Sequence, residues 1–459
     1  MITGPGERGV TGPSDPVDGP PGEEKLVGGR GGPGSSGRPF AMLGSKRSRL
    51  WLGLLLMLVL LSGVRVLLGK GGEDLTSAGT FSAALGLTIP ILLAGLGGLY
   101  AERSGIVNIG LEGMMILGTW FGAYAGWKFG PWWGVWFGVF GGGLGGLLHA
   151  VATVTFGIDQ IISGVAINIM AAGATRFLSA VVYANPLTGG SASQSPQVNG
   201  SVGTISLPFL AGGTLFGWKS PDLFGWLNAH HWFLISDAAG VLKGVTAGLS
   251  WLTVIALLLI PATYFLLWRT TFGLRLRSVG EHPLAAESLG IPVYRMKYIA
   301  VTISGCLAGL GGAVLVLDYA GIYREGQTAG RGFIGLAAVI FGNWRPGGVG
   351  AAAALFGYAN ALQLRSDKAV HGLLLFVAVI LALTAAWMLL RPKKRSRWGL
   401  AVALVAIGVF SWWATSSSVP PQFVSFTPQL ITLLVLAFAP THLRPPAADG
   451  KPYRKGQAQ

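Results

Sequence analysis

About a dozen stretches of this 459-residue chain are each apolar over close to the roughly 20 residues that an α-helix needs to cross the hydrocarbon core of a bilayer. They fall near 50–68, 80–100, 109–130, 131–156, 160–182, 249–269, 298–320, 331–344, 347–366, 371–390, 398–414 and 425–440. The pattern predicts an all-α, polytopic transmembrane bundle of about 10–12 spans. With 51% hydrophobic and 11% charged residues, the composition is rarely that of a soluble domain of this length. A net charge of +15 would suit a nucleic-acid binder, but basic loops flanking membrane spans explain the same excess, so no nucleic-acid partner is expected. The single cysteine, Cys306, lies inside an apolar run, which leaves neither a disulfide framework nor a cysteine-based metal cluster within the chain.

Residues 1–45 are dense in Gly, Pro and Ser and are expected to form a disordered cytoplasmic tail. Lys46, Arg47 and Arg49 precede the first long apolar run, which reads as a retained helix rather than a cleaved signal. Short cytoplasmic loops carry the positive excess. Placing the N-terminus inside gathers these residues on one side with Arg269, Arg275, Arg277, Arg295 and Lys297, the tract from Arg391 to Arg397, and the tail with Arg444, Lys451, Arg454 and Lys455. Both termini are then cytoplasmic, and 183–248 becomes an extracytoplasmic segment folding back onto the outer membrane face. Trp132, Trp133, Trp226 and Trp232 read as interface anchors. The window at 331–344 is short, and its break at Asn343 to Gly347 suits either a cytoplasmic turn or the floor of a half-helix. The positive-inside rule favours a true crossing there. The run from Gly141 to Gly146 places small residues four apart and reads as helix packing, since no GxxxxGK[ST] loop occurs.

Two polar stretches stand out. AERSGIVNIGLEGMM, at 101–115, puts Glu102, Arg103, Asn108 and Glu112 between apolar windows, with Glu112 a turn into the next helix. There it needs a partner such as Arg103 or a water-filled path, whereas Glu102 and Arg103 can reach headgroups or water. The loop 270–297 contains a short amphipathic helix after Pro283, on which Leu284, Ala285, Ala286 and Leu289 share a face before Gly290 stops it. Periodicity alone fits a docking helix and a surface-lying linker equally well.

The string FGLRLRSVGEHPLAAESLGIPVYRMKY resembles the cytoplasmic coupling loop of ABC importer permeases of the branched-chain amino acid/ribose superfamily, in the branch assigned to nucleosides and simple sugars. AERSGIVNIGLEGMM, DQIISGVAINIMAAG and GRGFIGLAAVIFGNWRPGG resemble three further hallmarks in the expected order, and the likeness resumes at PPQFVSFTPQLITLLVLA through GKPYRKG. The resemblance implies a transmembrane permease domain over 46–459 of a bacterial-type plasma membrane, without catalytic residues, metal or cofactor of its own. ATP would be bound by separate ATPase subunits; a second, homologous permease subunit and an extracytoplasmic solute-binding protein or lipoprotein complete the implied assembly. Glu281, Pro283, Ala285, Ala286 and Gly290 are the implied ATPase-coupling residues.

Asn108, Glu112, Gln160, Ser163 and Asn168 are candidates for the gate or pathway, with residues 103–112 forming part of a cytoplasmic gate. The same polar groups would equally well satisfy one another across helices. An ion-coupled secondary carrier is the rival, since intramembrane ionisable groups are functional candidates, but the span interiors are read as holding few: Arg65 close to a helix end, Glu112, Asp159 and Arg176. A membrane enzyme finds neither an HExxH pair nor a GxSxG elbow. The chain departs from the family pattern at 367–420, where two extra apolar runs are joined by RPKKRSRW, and at His282, where the branch more often has Asn.

Overall fold

The computed structural model describes residues 46–68, 72–184, 189–215, 218–230, 232–365, 367–390, 396–417, 419–420 and 443–454. The expected tail 1–45, the window 425–440 and residues 391–395 of the basic tract lie outside the described residues. The chain divides into Met1–Gly53, of which only the start of the first helix is described, and Leu54–Gln459.

Helices occupy every window within the described residues. They are α1 (Lys46–Leu68), α2 (Ala78–Arg103), α3 (Leu111–Phe129), α4 (Pro131–Ala150), α5 (Gln160–Val182), the short α6 (Leu223–Ala229) and α7 (Ile235–Thr246), and α8 (Trp251–Arg269). There follow α9 (Thr271–Glu281), α10 (Pro283–Ser288), α11 (Val293–Val314), α12 (Arg331–Phe341), α13 (Pro346–Arg365), α14 (Asp367–Leu389) and α15 (Ser396–Thr415). Among the described residues, seven helices are long and apolar enough to cross a membrane. The four strands are two residues each and pair only as small antiparallel ribbons within 204–250.

Local chemistry sets the ends. Ser77 and Ser250 accept from the amides of Thr80 and Thr253 at the starts of α2 and α8, and Asp159 accepts from Ile161 and Ile162 at the start of α5. Pro131 sits in the first turn of α4, where its missing N–H costs nothing. The glycine run expected to pack helices lies in mid-α4. A Cβ added at Gly142 would stand 2.3 Å from the carbonyl oxygen of Gly305 in α11, so only a backbone without side chains allows this crossing.

α2 is the hub. Its apolar window is 83% buried, against 22% for α5 and 11% for α15, so α2 runs through the middle while α5 and α15 keep broad faces for lipid or another chain. α7 packs on the start of α2, with Gly240 and Gly244 against the backbone of Thr76 and Ala78. Asp237 of α7 accepts from Ser62, Thr76 and Arg65, which ties α7 to α1. Burial pushes the Asp237 carboxyl up, but these hydrogen bonds and the Arg65 charge outweigh it and hold the group below the usual carboxylate range. The pair α14–α15 joins the bundle at its edge, where Leu373, Leu375 and Phe376 pack with Leu61, Val64, Leu75 and Leu362.

The window 331–344 becomes a half-helix. With 11 residues, α12 reaches about 16 Å, roughly half the hydrocarbon thickness. The preceding stretch is irregular: Tyr323 and Glu325 bond Ser195 and Ser193 at the end of the bundle that carries 183–248. At the other end the residues after α12 stop against the end of α2, where Trp344 meets Glu102 and Arg103. Chain and half-helix together therefore run the whole length of the bundle. Asn343 and Trp344 both adopt positive φ, 51° and 52°, the sharp reversal that feeds α13.

Candidate gate and coupling loop

The turn 104–110 between α2 and α3 is held by polar side chains, most of them buried, from three helices, α4, α5 and α11. Val107 donates its N–H to Gln160 Oε1 at 2.7 Å, and its carbonyl accepts from His149 Nε2 at 3.3 Å. A carbonyl only accepts, so the proton of His149 is on Nε2, and its Nδ1 accepts from the Ser163 hydroxyl at 2.9 Å. Asn168 accepts from the Gly113 amide at 2.7 Å and donates to the Ile109 carbonyl at 3.0 Å. Asn108, 0% exposed, donates to Ser304 Oγ at 2.8 Å, while its own Oδ1 has no partner among the described residues.

Glu112 stands where α3 and α12 meet with opposed directions. Its carboxylate oxygens accept from the amides of Gly330 at 2.9 Å and Gly332 at 2.7 Å. The half-helix α12 has no cap from its own neighbouring side chains, so this remote carboxylate satisfies its first donors and faces the positive ends of two helix dipoles. Gly332 is required here: a Cβ would stand 2.5 Å from the Glu112 backbone. The expected pairing with Arg103 is not found. Nor does Glu102 reach solvent, and Arg103 keeps only 13% of its side chain exposed, because the α12–α13 reversal turns over them. Trp344 donates its indole N–H to the buried Glu102, and its carbonyl accepts from Arg103 NH2 at 2.6 Å. Arg103 also lies 5.4 Å from the Trp268 ring, as Arg277 does, and 3.8 Å from the Glu281 carboxylate.

The loop 270–292 folds as two helices rather than one. Thr270 caps α9 by accepting from Gly273, and α9 seats Leu276 and Val279 on the bundle. Gly280 and Gly105 bring the loop onto the turn, backbone on backbone. A Cβ at Gly280 would stand 2.2 Å from the Arg103 carbonyl oxygen. Pro283 begins α10; Ala286 points inward, while Leu284, Ala285 and Leu289 are exposed, Leu289 by 82%. Of the four residues expected to share a face, Ala286 thus separates from the other three. Gly290 ends the element at φ +80°.

The C-terminal residues 443–454 return to this place. Asp449 is half-buried beside Lys297 and Arg103; desolvation pushes its carboxyl up to about 7, against the Gly450 amide and the two positive charges. Its folded value is above the ordinary 3.8, so docking of this segment is strongest below that pH and weakens as pH rises toward about 7. Hydrogen-exchange protection of 443–454, corrected for intrinsic rates, should therefore fall from pH 5 to pH 8, and Asp449→Asn should flatten the profile. A wild-type profile that is already flat would contradict this.

The structure brings together Asn108, Glu112, Gln160, Ser163 and Asn168 around one turn, and places Glu281, Pro283, Ala285, Ala286 and Gly290 on the adjoining loop. His149, Ser304 and Trp344 belong to the same assembly and were not anticipated. The one signal for His149 is an imidazole in an otherwise apolar helix, whereas Ser304 and Trp344 are recognised only from their contacts.

A bundle threaded by a capped half-helix, with seven helices among the described residues long and apolar enough to cross a membrane, is that of a multi-pass membrane protein. Residues 80–383 match the family described as branched-chain amino acid transport system / permease component, and the chain belongs to that family. It is 38% identical over 289 residues to the guanosine ABC transporter permease protein NupQ of Bacillus subtilis, covering 61% of this chain and 81% of that one. It is 36% identical over 284 residues to the nucleoside ABC transporter permease protein NupC of Lactococcus lactis, covering 60% and 78%. At greater distance stands the glucose ABC transporter permease protein TsgB13 of Haloferax volcanii, 25% identical over 284 residues and covering 59% and 65%. No solved structure gives a significant match.

Proposed function

We propose that this chain is the permease subunit of an ATP-driven importer that carries nucleosides, or failing those simple sugars, inward by alternating access. The observation that carries the reading is the loop 270–292. It presents Leu284, Ala285 and Leu289 outward, while Gly280 presses on the turn that holds Asn108 and leads to Glu112. A displacement of the loop has a short path to the gate. The names of NupQ and NupC favour a nucleoside substrate.

In this reading the loop end is cytoplasmic, as are both termini, and 183–248 faces outward. Separate ATPase subunits bind ATP and dock on Glu281 to Gly290. A second permease subunit, homologous rather than identical, and a solute-binding protein or lipoprotein complete the importer. Residues 46–459 make up the permease domain, with 367–420 a peripheral addition.

The test is reconstitution with the ATPase, partner permease and binding protein encoded beside this chain, followed by ATP hydrolysis across a nucleoside and sugar panel. Stimulation by at least one nucleoside is expected. Stimulation by sugars alone would move the substrate class, and none by either would remove it.

A further inference from the structure

The geometry points to a coupling strap: residues 443–454 clamp the ATPase-facing loop to the gate turn, so that the two move as one body. This rests on reading 270–292 as the docking loop.

The segment grips the loop on both sides of α10. On the entry side Ala447 donates its amide to Glu281 Oε2 at 3.1 Å, and Ala448 donates to the Gly280 carbonyl at 2.9 Å. On the exit side the Tyr453 hydroxyl donates to Glu287 Oε2 at 2.5 Å, and its ring lies edge-on to Tyr294 at 5.6 Å. The same residues reach the gate. The Ala448 carbonyl oxygen is 3.1 Å from where a Cβ of Gly105 would stand, and Val107 lies under Gly450 at 3.6 Å by the same measure. Arg444 donates its amide to Asn343 Oδ1 at 2.8 Å, which adds the break after the half-helix. One short segment thus bridges the loop, the turn and the α12–α13 reversal. The three elements touch one another mainly through Gly280 and Arg103, so the strap supplies a second, independent fastening. Asp449, half-buried and within reach of the Lys297 and Arg103 charges, holds its centre.

Deleting 447–459 in the full complex tests this. The complex should still assemble and hydrolyse ATP, but uptake per ATP hydrolysed should fall by about tenfold, the size of a typical coupling between sites. Hydrogen exchange should rise in 103–112 along with 281–290. An equal fall of uptake and hydrolysis with their ratio unchanged, or no fall at all, overturns the strap. Should the deletion impair insertion, Tyr453→Ala is read instead, with Tyr453→Phe expected to fall between it and wild type. Wild-type coupling in Tyr453→Ala overturns the proposal. Failure of the full-length chain to bind the ATPase would instead overturn the docking-loop reading itself.

Discussion

Replacing Glu112 with Ala is expected to destabilise the protein by about 2–4 kcal/mol and to reduce uptake to background. The substitution strips the acceptors from the amide of Gly332, which is buried, and from that of Gly330, which is partly buried. The half-helix α12 would then lose its only side-chain cap among the described residues, and the irregular chain ahead of it would lose its anchor on α3. Glu112→Gln should be intermediate, because its carbonyl still accepts from one amide while its NH2 group opposes the other. Thermal unfolding in detergent and uptake in proteoliposomes measure both effects. Wild-type values for Glu112→Ala in both would show that the two amides find other partners and that the capped half-helix is not needed for transport.

Gly290→Trp should have the opposite signature: an inserted, folded protein that no longer holds the ATPase. At Gly290 an added Cβ meets open space, with nothing within 4 Å, so the side chain leaves the backbone away from the bundle core. The φ of +80° costs a residue with a Cβ about 1–2 kcal/mol, confined to the loop. The indole would stand beside Leu289 on the surface proposed to meet the ATPase, and co-purification should drop by more than about tenfold, as for a disrupted interface centre. Normal co-purification together with normal transport would remove 270–292 from the docking role.

How much of this was legible depended on whether a residue's neighbours are local in sequence. The apolar windows foretold the helices because a bilayer demands length and hydropathy, both of which are local. The packing role of Gly141 to Gly146 was legible for the same reason. Glu112 was recognised as needing a partner such as Arg103 or a water-filled path. Its real partners are two backbone amides some 220 residues away, which no pattern of side chains advertises. Arg103 is instead drawn to Trp344 and Trp268 by a reversal at Asn343 and Trp344 that residue type does not foretell, since neither residue is glycine. The coupling loop was placed, but α9 was missed: it carries two basic residues, Arg275 and Arg277, and its apolar face, Leu276 and Val279, is too narrow to stand out. The docking of 443–454 left only the faint trace of GKPYRKG, because its grip is made by backbone amides and two carboxylates.

The most direct test of the central reading is uptake of a radiolabelled nucleoside into proteoliposomes holding the complete assembly, with ATP present or absent and with proton or sodium gradients imposed in turn. The reading predicts accumulation only when ATP and the ATPase subunits are both present, with no response to either gradient. Uptake that persists without the ATPase and follows an imposed ion gradient would contradict it and make this chain a secondary carrier.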